Sequence, residues 1–206
     1  MKTRIFNLII LDESGSMCSI KQQAISGVNE TIQTIRAAQK KYEELEQYVT
    51  LVSFNSEAVK SIHDKLEIEK VKDLTGEEYI PNCSTPLYDA MGIALNNLRK
   101  SVAKDDKVLV TIITDGYENS SREYNGKAIK ALVEELKSEG WVFTYIGANQ
   151  NVEEVGASLS ITNVLNFDTS DEGTKQMFSK ENLSRSRWFH RVANKDSDLD
   201  ENFFEE

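Results

Sequence analysis

Ile5-Phe6-Asn7-Leu8-Ile9-Ile10-Leu11-Asp12-Glu13-Ser14-Gly15-Ser16 passes without a break from a branched apolar run into a short polar loop. Ile20, Ala24, Val28, Ile32 and Ile35 then recur at steps of three or four. A nearly continuous apolar run suits a strand covered on both faces, and the three-to-four spacing lays one apolar stripe along a helix. Tyr48 to Phe54, Val108 to Thr114, Trp141 to Ile146 and Asn163 to Phe167 repeat the first pattern. Leu87, Met91, Leu95 and Leu98 repeat the second, as do Ile129, Leu132, Val133 and Leu136.

This alternation predicts a three-layer α/β fold, a Rossmann-like, doubly wound and mostly parallel sheet with helices on both faces. Ala58 to His63 follows the second strand after only Asn55, Ser56 and Glu57, too short a gap for a crossover helix. It is expected to turn back as one antiparallel edge strand. Asp64 to Pro81 reads as a charged connecting excursion, and Val152 to Leu159 follows an upper loop, Gly147-Ala148-Asn149-Gln150. No internal repeat or low-complexity linker divides the chain, so 1–194 is expected to be a single domain. From Lys195 the sequence turns acidic, with Asp196, Asp198, Asp200, Glu201, Glu205 and Glu206 and no intervening base. That composition predicts a flexible tail over 195–206, dispensable for folding, although Phe203-Phe204 argues for some apolar docking.

The chain has 206 residues, 39% of them hydrophobic and 28% charged, enough for a continuous core. Its formal net charge of -10 repels phosphate backbones and anionic membrane surfaces and attracts cations. Nucleic acid and membrane partners are therefore not expected. Arg185, Arg187 and Arg191 read as a solvated helix face, with Trp188 and Phe189 packing inward. Met1 to Arg4 before an apolar run has the outline of a signal peptide, but the run contains Asn7 and stops at Asp12. A cytoplasmic chain is expected. Two cysteines, Cys18 and Cys83, and two isolated histidines, His63 and His190, are too few for a zinc site or a disulfide framework. The cysteines read as small, part-buried, reduced residues and His63 as a surface residue.

Three polar signals fall at one end of the expected sheet. Asp12-Glu13-Ser14-Gly15-Ser16 closes the first strand, where ligands bind in doubly wound sheets, and can aim one carboxylate and two hydroxyls into a pocket. Gly15 permits a tight backbone path there. Thr114-Asp115-Gly116 closes the strand from Val108, and Ser84-Thr85-Pro86-Leu87 precedes a helical stripe. Taken alone, Thr85 reads as a helix N-cap with Pro86 at the first helical position, and Asp115 as a loop acid. Hydroxyl and carboxylate oxygens are hard ligands, suited to magnesium, manganese or calcium.

The conjunction of D-x-S-x-S at Asp12, Ser14 and Ser16 with the later Thr85 and the Asp115 of T-D-G resembles the von Willebrand factor type A family. The resemblance covers about Thr3 to Phe167. It implies a metal-ion-dependent adhesion site in which Asp12, Ser14, Ser16, Thr85 and Asp115 hold Mg2+, with Mn2+ or Ca2+ as substitutes. It also implies one coordination position open to an Asp or Glu of a partner protein, no catalysis, and in many relatives a place in a larger assembly. Where many members carry glycines before the Thr, this chain has Asn82-Cys83-Ser84.

Other readings fit less well. A haloacid-dehalogenase-like magnesium phosphotransferase or phosphatase would use Asp12 as nucleophile but needs a second acid where Ser14 stands. The serine-hydrolase elbow and the dinucleotide-binding G-x-G-x-x-G are both absent after the first strand. A scaffold in which the metal is incidental is the remaining alternative.

Overall fold

The computed structural model describes residues 2–200 and 202–204. Strands β1 (Thr3–Asp12), β2 (Leu45–Phe54), β3 (Val59–Glu67), β4 (Lys107–Thr114), β5 (Trp141–Gly147) and β6 (Asn163–Asn166) form one six-stranded sheet in the order β3-β2-β1-β4-β5-β6. Every pairing is parallel except β2 with β3, as the short connection after Phe54 requires. From β1 the chain winds outward through β2 on one side and from β4 on the other. The order therefore reverses between β1 and β4, and the crevice beyond their carboxyl ends is the switch point at which such sheets bind ligands.

Helices α1 (Lys21–Lys41) and α5 (Asp171–Ala193) cover one face, and α2 (Leu87–Arg99), α3 (Gly126–Ser138) and α4 (Val152–Ser158) the other. Successive residues of β1 divide between the layers. Ile5, Ile9 and Leu11 pack toward α1 and α5, whereas Phe6, Leu8 and Ile10 pack toward α2 and α3. Asn125, Asn151 and Ser170 cap α3, α4 and α5 through side chains that accept backbone N–H bonds. Gly27 of α1 meets the Phe178 ring of α5 so closely that a Cβ there would overlap the ring, and this contact lets the two helices lie side by side.

Three expectations are corrected. His63 is buried on β3, its Nε2 2.9 Å from the Lys72 carbonyl, where it holds the excursion after β3 rather than facing water. Arg185 is not on a solvated face, since it is 0% exposed. Its guanidinium donates to Glu181 Oε1 at 2.8 Å, Asn7 Oδ1 at 2.8 Å and Thr111 Oγ1 at 2.8 Å, while Thr144 Oγ1 lies 3.0 Å from Thr111 Oγ1. The third correction concerns the tail. Phe203 and Phe204 are buried in the α1/α5 layer, and Asn163 of β6 donates to the Asp200 carbonyl at 2.7 Å and accepts the Phe203 N–H at 3.1 Å. Lys137 pairs with the Asp200 carboxylate at 2.9 Å. Two aromatic rings removed from water outweigh the acidic composition that predicts a mobile segment. Glu201, Glu205 and Glu206 lie outside the described residues.

Two measurements check these packings. Phe203→Ala should destabilise the fold by about 3 kcal/mol, lowering Tm on the order of 10 °C; an unchanged Tm would mean that the segment does not pack in solution. Arg185→Met leaves Glu181 buried without its cation and should cost about 3 kcal/mol or more by denaturant titration, with Arg185→Met/Glu181→Leu less destabilised than the single variant.

Candidate metal centre

Asp12 is the last residue of β1 and lies beside Phe54 in the sheet register, with its side chain 0% exposed. Both carboxylate oxygens are held by the protein. Oδ1 accepts the Ser14 N–H at 2.7 Å and Oδ2 the Thr114 hydroxyl at 2.6 Å, while Tyr79 donates to the Asp12 carbonyl at 2.6 Å. The chain then enters a short 3-10 helix, Gly15–Ile20, which runs straight into α1. Ser14 Oγ stands 3.2 Å from Ser16 Oγ, and the Ser16 hydroxyl donates to Asp115 Oδ1 at 2.5 Å. Gly15 needs no glycine-only backbone conformation. Its N–H donates to the Cys83 carbonyl at 3.0 Å, and a Cβ would sit 3.4 Å from that oxygen, so its smallness serves the approach of the loop before α2.

Thr85 arrives on that loop, buried at 3% exposure. The structure overturns its reading as an N-cap. Helix α2 begins at Leu87, and no side chain of the flanking residue caps it. Instead Glu118 accepts the Tyr88 N–H at 3.0 Å and Ser121 Oγ the Asp89 N–H at 3.1 Å. The Thr85 main chain is clamped by Asn119, whose Oδ1 accepts the Thr85 N–H at 2.9 Å and whose own N–H donates to the Thr85 carbonyl at 3.1 Å. Its hydroxyl is thereby left to the site. A Cβ placed on Gly116 would stand 3.8 Å from Ser16 Oγ and 3.9 Å from Thr85 Oγ1, so both hydroxyls lie against the T-D-G turn.

Asp12, Ser14, Ser16, Thr85 and Asp115 are thus brought to one edge, above the point where the strand order reverses. Asp12, Ser14, Thr85 and Asp115 are buried, and the group reaches solvent at Ser16. Burial pushes the Asp12 carboxyl up to about 6, and it also raises Asp115 above the usual carboxylate range. Among the described residues neither acid is ion-paired to a Lys or Arg. Nor do three His, Cys, Asp or Glu side chains gather there as a metal cage. The donor set is two buried carboxylates without a cationic partner and three neutral hydroxyls. A small hard dication that keeps part of its hydration fits it, whereas a soft metal or a many-carboxylate calcium cage does not.

The supporting residues were mostly invisible in the sequence. Glu13 looks like a spacer between Asp12 and Ser14, yet it is 0% exposed and accepts from Ser53 Oγ, Lys60 Nζ and the Ile80 N–H, each at 2.6 Å. It anchors the 79–82 loop to β2 and β3. Asp89 accepts the N–H groups of Arg122, Glu123 and Tyr124. Asn149 and Gln150, of the expected upper loop, donate to the carbonyls of Asp115 and Gly116, each at 3.3 Å. Cys18 and Cys83 carry free thiols and are exposed on these loops rather than part-buried.

Comparison with curated protein sequences finds no match. Among solved structures, a D319A mutant of the PilB minor pilin from Streptococcus sanguinis superposes with a TM-score of 0.66 at 13% identity, over 96% of this chain and 64% of the pilin. The pilus adhesin SpaC from Lactobacillus rhamnosus GG, in its open conformation, gives 0.64 at 12% identity, over 92% of this chain and 30% of the adhesin. The vWF domain of the type V pili tip protein Mfa5 from Porphyromonas gingivalis gives 0.56 at 10% identity, over 89% and 96%. The chain spans less than two thirds of the pilin and adhesin chains, and at these identities the likeness is one of fold. The family profile of the von Willebrand factor type A domain matches residues 8–184, and with that match, the sheet order and the carboxyl-edge loops together, this chain belongs to the von Willebrand factor type A domain family.

Proposed function

We propose that this chain is a metal-dependent protein-interaction module, in which Asp12, Ser14, Ser16, Thr85 and Asp115 hold a divalent cation, Mg2+ by preference, and a partner protein supplies an Asp or Glu to it. The single observation that carries the reading is the pair of buried carboxylates, converging with three hydroxyls at the switch point and, among the described residues, ion-paired to no Lys or Arg. When bound, the cation supplies a Lewis-acidic position for a carboxylate of the partner.

The rest is done by the chain's own residues. Thr114 and the Ser14 N–H fix both oxygens of Asp12, and Ser16 orients Asp115. Asn119 holds the Thr85 backbone, and Glu13 holds the loop that brings Thr85 in. Three of the five donors are neutral hydroxyls, so the carboxylates neutralise a dication without excess, and an anionic group can still approach it. Nothing in this arrangement calls for a nucleophile or general base, and we read the chain as a binding protein rather than an enzyme. Membership in a larger assembly is part of the same proposal, in keeping with the pilus proteins whose fold it shares. No helix among the described residues is long and apolar enough to cross a membrane. A cytoplasmic setting is proposed on the free, exposed thiols of Cys18 and Cys83.

Magnesium titration by calorimetry and thermal shift tests the site. At magnesium a hundredfold above Kd the protein should gain about 2.7 kcal/mol, a Tm rise of roughly 5 to 10 °C. Asp12→Asn should lose this gain while remaining folded, and in chelator it should be at least as stable as wild type. The exchange removes a buried charge that has no ion-pair partner among the described residues, and the bond to Thr114 is kept in the reverse direction, the new amide donating to Thr114 Oγ1 while the Thr114 hydroxyl donates to the Gly116 carbonyl 3.1 Å away. Asp115→Ala should likewise abolish the magnesium response. A wild type that ignores magnesium, or an Asp12→Asn protein that responds like wild type, would remove the metal from the function. Because Thr85 caps no helix, Thr85→Val should weaken magnesium binding at least tenfold and leave the helical circular dichroism signal of the metal-free protein unchanged.

A further inference from the structure

Three large apolar side chains are strongly exposed among the described residues: Ile80 at 54%, Tyr117 at 54% and Leu183 at 56%. Leu183 is on α5, away from the switch point. The other two stand on loops that converge on Ser14 to Ser16. Ile80 belongs to the segment bonded to Glu13 and, through the Cys83 carbonyl, to Gly15. Tyr117 follows Asp115 and Gly116 directly, and Gly116 lies against the Ser16 and Thr85 hydroxyls. Single exposed apolar residues are ordinary on any surface. Here, however, the Ile80 backbone is fixed, its N–H donating to Glu13 Oε1 at 2.6 Å, and the Tyr117 ring is held by its hydroxyl, which accepts the Asn151 N–H at 3.1 Å. An apolar ring tied down by its hydroxyl, and an apolar branch on an anchored backbone, are partly preorganised to bind at the edge of a polar site, because less conformational freedom remains to be lost. The Cys18 thiol, which donates to the Pro81 carbonyl at 3.2 Å, and the exposed Cys83 thiol lie against and on the segment that carries Ile80.

Charge narrows the partner further. With a formal net charge of -10, the chain repels a polyanionic ligand at long range, so recognition by many acids would work against its own field. One carboxylate aimed at the cation loses little to that field. Its attraction to the cation strengthens when flanking apolar groups exclude water and lower the local dielectric.

We infer that the partner presents a single carboxylate flanked by apolar side chains, and that Ile80 and Tyr117 are the residues that select this context around the metal edge. This inference rests on the metal-bridged reading above, and its test separates the two. The probes are three blocked tripeptide amides, acetyl-Leu-Asp-Leu, acetyl-Ser-Asp-Ser and acetyl-Asp-Asp-Asp. Each is titrated into the full chain with saturating magnesium and again with chelator, and followed by NMR shift perturbation.

In magnesium the leucine-flanked peptide should bind at least tenfold more tightly than either of the others, and chelator should abolish its binding. The Ile80→Ser/Tyr117→Ser double variant should erase the preference while its magnesium affinity and its affinity for the serine-flanked peptide stay unchanged. Both side chains are exposed, so this variant should fold as wild type does. Equal affinities for the three peptides, tighter binding of the triple acid, or a preference that survives the double substitution would overturn the inference while leaving the metal site intact. A leucine preference that persists in chelator would overturn it as well, because the apolar rim would then act without the cation. Failure of wild type to bind magnesium at all would sink the metal-bridged reading and this inference with it.

Discussion

Asp12 and Asp115 end adjacent parallel strands, or nearly so, and are held at 0% and 3% exposure. Parallel pairing puts the carboxyl ends of β1 and β4 side by side, so the two acids are brought together by topology and cannot drift apart without breaking the centre of the sheet. Burial raises the cost of their charge, and the hydrogen bonds from Thr114, Ser14 and Ser16 recover only part of it. A rigid sheet centre thus holds two like charges in a place where water cannot screen them well. The loops around them are arranged to complete that centre, with Thr85 clamped by Asn119 and the 79–82 segment anchored by Glu13.

The central strands β1, β2, β4 and β5 were legible in the sequence because each is a branched apolar run whose covering on both faces leaves little room for polar residues, whereas the edge strand β3, half exposed, was legible only through the short connection that precedes it. The five donors were legible for a different reason. Three polar signals fall at one end of the expected sheet, and it is their conjunction, D-x-S-x-S followed by a later Thr and the Asp of T-D-G, that through its resemblance to the von Willebrand factor type A pattern singles out Asp12, Ser14, Ser16, Thr85 and Asp115. What escaped was every residue whose role depends on a partner distant in sequence. Thr85 before Pro86 carries a local capping pattern, but the acceptors for the first N–H groups of α2 come from Glu118 and Ser121. His63 finds its carbonyl nine residues away. Glu13 differs in no visible way from a solvent-facing acid until Ser53, Lys60 and Ile80 are in place around it.

Helix α5 shows why periodicity misleads at its end of the chain. Its buried residues are Thr174, Met177, Phe178, Glu181, Ser184, Arg185, Trp188, Phe189 and Val192, at successive steps of three and one, as an inward stripe requires. Four of them are polar or charged. Hydrophobicity alone therefore sees a weak stripe and assigns Arg185 to water. The tail misleads in the opposite sense, because its acids are conspicuous and its two phenylalanines are few, yet burial of the rings decides where the segment lies.

The buried polar members of α5 also bear on the metal edge. Arg185 bonds Asn7, which lies in β1 on the strand that ends in Asp12, and Thr111, which lies in β4 on the strand that ends in Thr114. Asn7 passes the contact outward to Gln47 of β2, its amide donating to Gln47 Oε1 at 2.9 Å, and Thr111 passes it to Thr144 of β5. One guanidinium therefore ties together the two strands on either side of the switch point and, through them, their outer neighbours. The backbone ladders already fix the register of these strands, and directional bonds to a buried cation brace them further. The same network needs Glu181 to balance the charge, which fixes the register of α5 on the sheet. The hydroxyls and carboxylates at the carboxyl edge therefore stand on strands braced both by their backbone ladders and by this buried polar network.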